Sequence, residues 1–298
     1  MNLDGFICVD KPVGPSSFSA VRAVCKALGV SKGGHAGTLD PMASGLLVVA
    51  LGRCTRLLEY LSLEPKEYEF TVAFGASTDT FDAAGRVTAR SGVIPTRGRL
   101  IEAMKGFSGE TEQVPPQYSA VKTGGVPAYR MAREGVPVDI KPRTVRVYSL
   151  EMRGYDVDGR CADFAVSCSG GTYVRTLAVD ITKAANVEAE GHISRLRRTR
   201  AGRFDLSNAV DFGDISNAKN YFINASDAFA QDKITVISDE QKVNVSMGRG
   251  IVIDGFDFAH PLTESGGDVL VAFDATGTLA AVLKRADGAL YHPDKVFI

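Results

Sequence analysis

The chain has 298 residues, of which 45% are hydrophobic and 23% charged, and its formal net charge at pH 7 is −1. These figures exclude a disordered or fibrous polypeptide and leave room for one large domain plus a small second one. They also exclude a uniformly cationic nucleic-acid binder, so any basic surface has to be local.

In chain order, Gly5 to Val9 reads as a short strand that stops at the prolines and glycine of Asp10-Lys11-Pro12-Val13-Gly14-Pro15. Ser16 or Ser17 then caps a helix with apolar positions Val21, Val24, Cys25 and Leu28, which Gly29 closes. Ser31 to Ala43 reads as a glycine-broken loop, and Gly45 to Leu51 as a buried strand. Lys66 to Phe74 alternates Tyr68, Phe70, Val72 and Phe74 on one face, the period of a strand. Asp79 to Gly85 is a turn, in which Asp79 and Asp82 are read as turn formers, with a polar network around a site as the alternative. A helix is expected around Leu100 to Met104, extended chain over Val114-Pro115-Pro116-Gln117-Tyr118, and paired strands over Thr144 to Met152 and Cys161 to Cys168. A helix follows from about Thr172, with Leu177, Ile181 and Ala184 on one face. From Asn217 to Asp232 the pattern weakens. Short β-type runs then follow at 235–237, 250–253, 269–273 and 279–283, so a boundary is placed near residue 230, dividing the chain into units 1–230 and 231–298.

Charge is unevenly distributed. Residues 211–298 hold 7 Lys and Arg against 13 Asp and Glu, leaving 27 against 22 for residues 1–210. The densest cationic run, Ser194 to Arg203, contains Arg195, Arg197, Arg198, Arg200 and Arg203, and reads either as a phosphate-contacting surface or as a solvated face. Five cysteines without a C-x-x-C pair read as reduced thiols, and the four histidines lack zinc-site spacing, so no metal is expected. No signal-like start and no apolar run of about 20 residues is seen, which points to a cytoplasmic protein without a membrane span.

The sharpest segment for chemistry is Gly33-Gly34-His35-Ala36-Gly37-Thr38-Leu39-Asp40-Pro41. Glycines permit close approach of a ligand and Pro41 stiffens the chain after the acid, which suits a positioned carboxylate. Taken alone, an ordinary turn aspartate is the leading alternative. Gly170-Gly171-Thr172 at a strand-to-helix junction invites reading as a phosphate cradle, but no nucleotide-binding glycine pattern accompanies it. Ser16-Ser17 lacks the context of a hydrolase nucleophile.

The run from Gly34 to Leu47, followed by Gly52-Arg53-Cys54-Thr55, resembles the signature of the TruB family, the tRNA pseudouridine-55 synthases. Five further segments agree in order: Asp10 to Ser17, Lys66-Glu67-Tyr68, Val114 to Lys122 with Ala128-Tyr129, Gly170 to Ala178, and Leu196 to Phe204. Together they span residues 10 to 204.

This resemblance implies an α+β fold: a mixed, mainly antiparallel sheet with the active site in a cleft across it, and a small all-β PUA-like unit at the C-terminus. It makes Asp40 the catalytic carboxylate, Tyr68 the aromatic facing the target base, and Arg175 the cation that pairs with Asp40 and keeps it ionised. It gives His35 a contact with RNA at a flipped nucleotide, and places Tyr173 and Leu196 in the substrate pocket. Lys11 is expected either to contact RNA phosphate or to fix its loop. The implied substrate is the T arm of tRNA, with the uridine flipped from its stack. No cofactor is needed, because a carboxylate suffices for breaking N1–C1′ and joining C5 to C1′. Attack at C1′ and addition to the ring both remain open. So does a non-catalytic RNA-folding role, and a monomer is expected. The acidic balance of residues 231–298 argues for packing rather than RNA affinity there.

Overall fold

The computed structural model describes residues 3–119, 121–136, 138–253 and 269–298. Strand β1 (Gly5–Lys11) leads into helix α1 (Ser17–Leu28), where the Ser16 side chain caps the Ser19 amide and Gly29 closes the end at φ +64°. Then come β2 (Gly33–Ala36), β3 (Ala43–Leu51), a 3-10 segment (Gly52–Tyr60) and β4 (Lys66–Phe74). The segment expected to be a continuous loop thus contains a strand. Gly33 and Gly34 have poor strand preference, and β2 exists because it pairs antiparallel with the buried β3.

The large sheet runs in the order 209–211, β1, β3, 191–201, β4, 161–168, 143–156, 109–113. Most neighbours are antiparallel, but β1 pairs parallel with Ala209–Asp211, and β3 parallel with Gly191–Ala201. A continuous apolar β3 reflects burial on both faces. Leu47, Val49 and Leu51 enter one apolar cluster with α1, Phe70, Phe164 and the helix Val174–Ala185. Leu46, Val48 and Ala50 enter another on the opposite face. Phe70 and Phe164 stack with ring centroids 5.1 Å apart on adjacent strands.

The crossing of β3 and the strand Gly191–Ala201 is tight. Gly45 has φ +100°, and a Cβ there would lie 2.2 Å from the Arg198 carbonyl oxygen. Gly45→Ala is therefore expected to lose at least about 2 kcal/mol of stability, since clash and left-handed backbone both oppose it. Chemical denaturation of the two proteins measures this, and an unchanged midpoint would remove the steric argument.

A second sheet runs in the order 234–237, 269–274, 279–287, 290–296, 251–252. The expectation of an all-β unit here is corrected, because a helix, Asp239–Ser246, is held by a capping box between Ser238 and Gln241. The second sheet is joined to the first by a shared apolar cluster in which Val271, Phe273, Leu279, Val282 and Phe297 pack with Phe6, Leu57 and Phe229. Arg56 donates to the Val296 carbonyl at 2.8 Å and lies over the Phe297 ring. Among the described residues, no helix is long and apolar enough to cross a membrane.

Candidate active site

Asp40 lies on the turn between β2 and β3, and its neighbours on both sides are clamped by the first residue of α1 and the loop before it. The Ser17 hydroxyl accepts from the Leu39 amide at 2.8 Å and donates to the Leu39 carbonyl at 2.9 Å. The Gly14 amide donates to the Pro41 carbonyl at 2.7 Å. Loop geometry is held in turn by Lys11, whose ammonium donates to the carbonyls of Pro12 and Pro15 at 2.8 and 3.0 Å. Lys11 is fully buried, so a direct contact with RNA phosphate is corrected: it fixes its loop. Burial lowers its pKa to about 8, against the opposing pull of Asp40.

Ser17 is expected to act on rate through this clamp. Ser17→Ala leaves both polar groups of buried Leu39 without a partner, and a loop shift of ~1 Å costs up to about 100-fold in rate. Kinetics should show kcat falling at least about tenfold with KM little changed, and Ser17→Thr recovering part of it. Equal kcat in Ser17→Ala would show that the clamp is dispensable.

Arg175, on the first turn of the helix Val174–Ala185, is 3% exposed. Its Nε lies 3.0 Å from Asp40 Oδ2, and its Nη1 3.4 Å from Asp82 Oδ2. The Nε–H makes no directed hydrogen bond, so the Asp40 contact is ionic. Carbonyls of Thr80 and Tyr118 accept from Nη1 and Nη2 at 2.6 and 2.9 Å and fix the guanidinium plane. Asp82 does more than form its turn. It is 4% exposed, accepts from the Thr80 hydroxyl and the Ala84 amide through Oδ1, and faces Arg175 through Oδ2.

The Asp40 side chain is 38% exposed to the cleft, although protein surrounds it on its other sides. Burial pushes its carboxyl above the usual aspartate value, Arg175 pulls it down, and Asp82 pushes it up again. Arg175 therefore opposes protonation of Asp40 without cancelling the effect of burial.

A cavity of about 250 Å³ opens in front of Asp40, and Tyr68, Tyr173, Arg175, Leu196 and Arg198 line it. Burial raises the Tyr68 hydroxyl, with Arg198 pulling it the other way. Tyr173 is held by Gln113, whose side chain accepts from its amide at 2.7 Å and donates to its carbonyl at 3.0 Å. A larger cavity of about 490 Å³, lined by residues including Arg203, Asp205 and Tyr221, contains none of these groups.

The arginine run does not form one surface. It is the strand Gly191–Ala201, whose alternation is broken by two register shifts against β4. Arg198 points inward, is 1% exposed, and donates to the carbonyls of Leu46 and Gly37 at 2.8 and 3.0 Å. Its expected place on a phosphate-contacting surface is corrected to one in the cavity wall. Arg195 and Arg200 are exposed, Arg197 makes a bidentate pair with Asp10 at 3.0 and 2.6 Å, and Arg203 donates to the Phe229 carbonyl. His35 lies on β2 beside Val49 and is not part of the cavity lining; burial lowers its pKa.

Residues 25–174 match the TruB family pseudouridylate synthase (N terminal domain). The chain is 41% identical over 259 residues to tRNA pseudouridine synthase B of Caulobacter sp. (strain K31), covering 84% of this chain and 82% of that one. It is 39% identical over 274 residues to the protein of the same name from Gluconobacter oxydans (strain 621H), covering 89% and 81%. Among solved structures, a chain of a Cbf5-Nop10-Gar1 complex superposes with a TM-score of 0.73 at 27% identity, covering 99% of this chain and 85% of that one. A chain of an H/ACA RNP bound to a substrate RNA containing 2'-deoxyuridine gives a TM-score of 0.71 at 25% identity, covering 100% and 86%.

Proposed function

Because this chain belongs to the TruB family of pseudouridylate synthases, and is thus an isomerase, we propose that it converts uridine 55 in the T loop of tRNA to pseudouridine, with Asp40 as the catalytic carboxylate. One observation carries the reading: a single small cavity joins an accessible carboxylate to a buried arginine and to Tyr68 and Leu196. The space suits one extruded nucleotide and not a paired helix, so the uridine enters by flipping.

Isomerisation breaks N1–C1′, forms C5–C1′, releases the proton of C5 and places one on N1. Electrons and atoms balance without a redox partner. Asp40 supplies the negative group that assists separation of base and sugar, Arg175 fixes it, and Tyr68 with Leu196 supports the uracil while it turns. The chain acts alone in the cytoplasm, and the described residues of 231–298 belong to a PUA-like unit that braces the catalytic part through their shared apolar cluster.

Tritium release from C5-labelled uridine in a tRNA transcript tests the proposal. Wild type should release one tritium per tRNA, and a transcript with cytidine at position 55 should release none. Unchanged release from the cytidine-55 transcript would overturn the site assignment. Failure to release any from the unmodified transcript would overturn the substrate.

A further inference from the structure

The cavity holds more positive charge than a neutral uracil calls for. Arg175 is shared by Asp40 and Asp82, and the guanidinium of Arg198 is committed to backbone carbonyls. Two more cations line the same cavity, Arg143 and Lys66, and neither has a carboxylate at ion-pair distance among the described residues. Both lie against the glycine turn before the helix of Arg175. The Gly170 amide donates to Glu64 Oε1 at 2.6 Å, so that end of the turn already holds a carboxylate. A Cβ on Gly170 would lie 2.7 Å from that oxygen and 3.7 Å from Lys66 Nζ, and one on Gly171, where φ is +83°, would be 3.5 Å from Arg143 Nη1.

Arg143 is rigidly held. Its backbone pairs with Gln113, the residue that grips Tyr173, and its guanidinium lies over the Tyr173 ring at 4.7 Å. Nε and Nη2 are buried with no acceptor among the described residues. Arg143 is half-buried, and two buried N–H groups without an acceptor are costly, so a residue that keeps them here has a use for its charge. Nη1, beside the glycine turn, is the edge left for a ligand. The nucleotide whose base occupies the cavity brings a phosphodiester on each side, and its base carries no charge.

We propose that Arg143 and Lys66, across the Gly170–Gly171 turn, form an anion subsite that grips a phosphodiester adjoining the flipped uridine. This rests on the reading of the cavity as the place where an RNA uridine is turned. The phosphate contacts come from the two side chains, because the Gly170 amide of the turn is held by Glu64. Planar Arg143 supplies direction and Lys66 supplies charge, so the two are not equivalent.

The test uses the full chain and T-arm stem-loop RNAs carrying one uncharged methylphosphonate, placed 5′ or 3′ of the target uridine. Arg143→Gln and Lys66→Gln should each weaken binding about tenfold and lower the slope of log affinity against log salt by about 1. One of the two methylphosphonates should weaken wild-type binding about tenfold and leave the affinity of Arg143→Gln unchanged. Which linkage does so identifies the phosphate. Arg143→Lys should recover part of the salt slope but not the full affinity. Wild-type affinity and slope in both Gln variants, or equal methylphosphonate penalties in wild type and variant at both linkages, would overturn the subsite. If Arg143→Gln fails to fold, Lys66→Gln carries the same comparison. Wild type that neither binds the unmodified stem-loop nor releases tritium from it would instead overturn the uridine reading, and the subsite with it.

Discussion

Asp40→Asn is expected to lose pseudouridine formation by at least about 10⁴-fold while tRNA binding stays within a few-fold of wild type. Asparagine keeps the shape of the side chain, and the contacts that hold the loop are made by Ser17 and Gly14 to the backbone of Leu39 and Pro41, which the substitution leaves in place. Arg175 keeps Asp82 as an anionic partner, so its guanidinium does not become an isolated buried charge. What disappears is the negative charge proposed to act on the uridine. Single-turnover tritium release, alongside a filter-binding titration, separates the two readouts. Residual activity above about 1% would exclude Asp40 from the chemistry.

Arg175→Met is expected to cost about 100-fold or more in rate, because Asp40 loses the cation that fixes it and a misplacement of about 1 Å at the reacting group costs about 100-fold. Two carboxylates, Asp40 and Asp82, are then left without the cation between them. The sign of the pH effect follows from the groups around Asp40. Burial already raises its pKa, Arg175 lowers it, and Asp82 raises it. With the ionised carboxylate proposed as the active form, activity should be present above that raised pKa and fall as pH drops through it. Removing Arg175 should move the acid limb to higher pH, and Asp82→Asn should move it to lower pH. Opposite shifts in the two variants distinguish electrostatic control from general damage. An acid limb at the wild-type position in Arg175→Met would refute it.

Much of this was legible in the residues. Ser16 and Gly29 bracket α1 as cap and closing residue, and the alternation from Lys66 to Phe74 gives β4 its bounds. The motifs that resemble TruB also brought Asp40, Tyr68, Tyr173, Arg175 and Leu196 to one cavity. Other parts were hidden for identifiable reasons. Gly191–Ala201 conceals its strand period because two bulges shift the inward residues, so Arg198 reads as one more cation in a run. The helix Asp239–Ser246 carries a Ser-x-x-Gln capping signal at Ser238 and Gln241, masked by the short β-type runs on either side of it. Asp82 looks like any turn aspartate, since its second partner is 93 positions away in sequence. Arg143 and Gln113 carry no local pattern; only the pairing of their strands sets them at Tyr173.

Strand β1 has a consequence for how the chain matures on the ribosome. It precedes its partners in the chain, yet its backbone pairs with Ala209–Asp211 and Phe222–Asn224, and Phe6 packs in a cluster that includes Phe229 and Phe297. Its β3 partner follows closely, but the far edge of β1 stays unpaired until Ala209–Asp211 and Phe222–Asn224 have been synthesised. An apolar strand with a waiting edge is a hazard during synthesis. Catalytic competence should therefore arrive late and abruptly, once Phe222–Asn224 has closed that edge, and chains stalled before it are the form most in need of a chaperone.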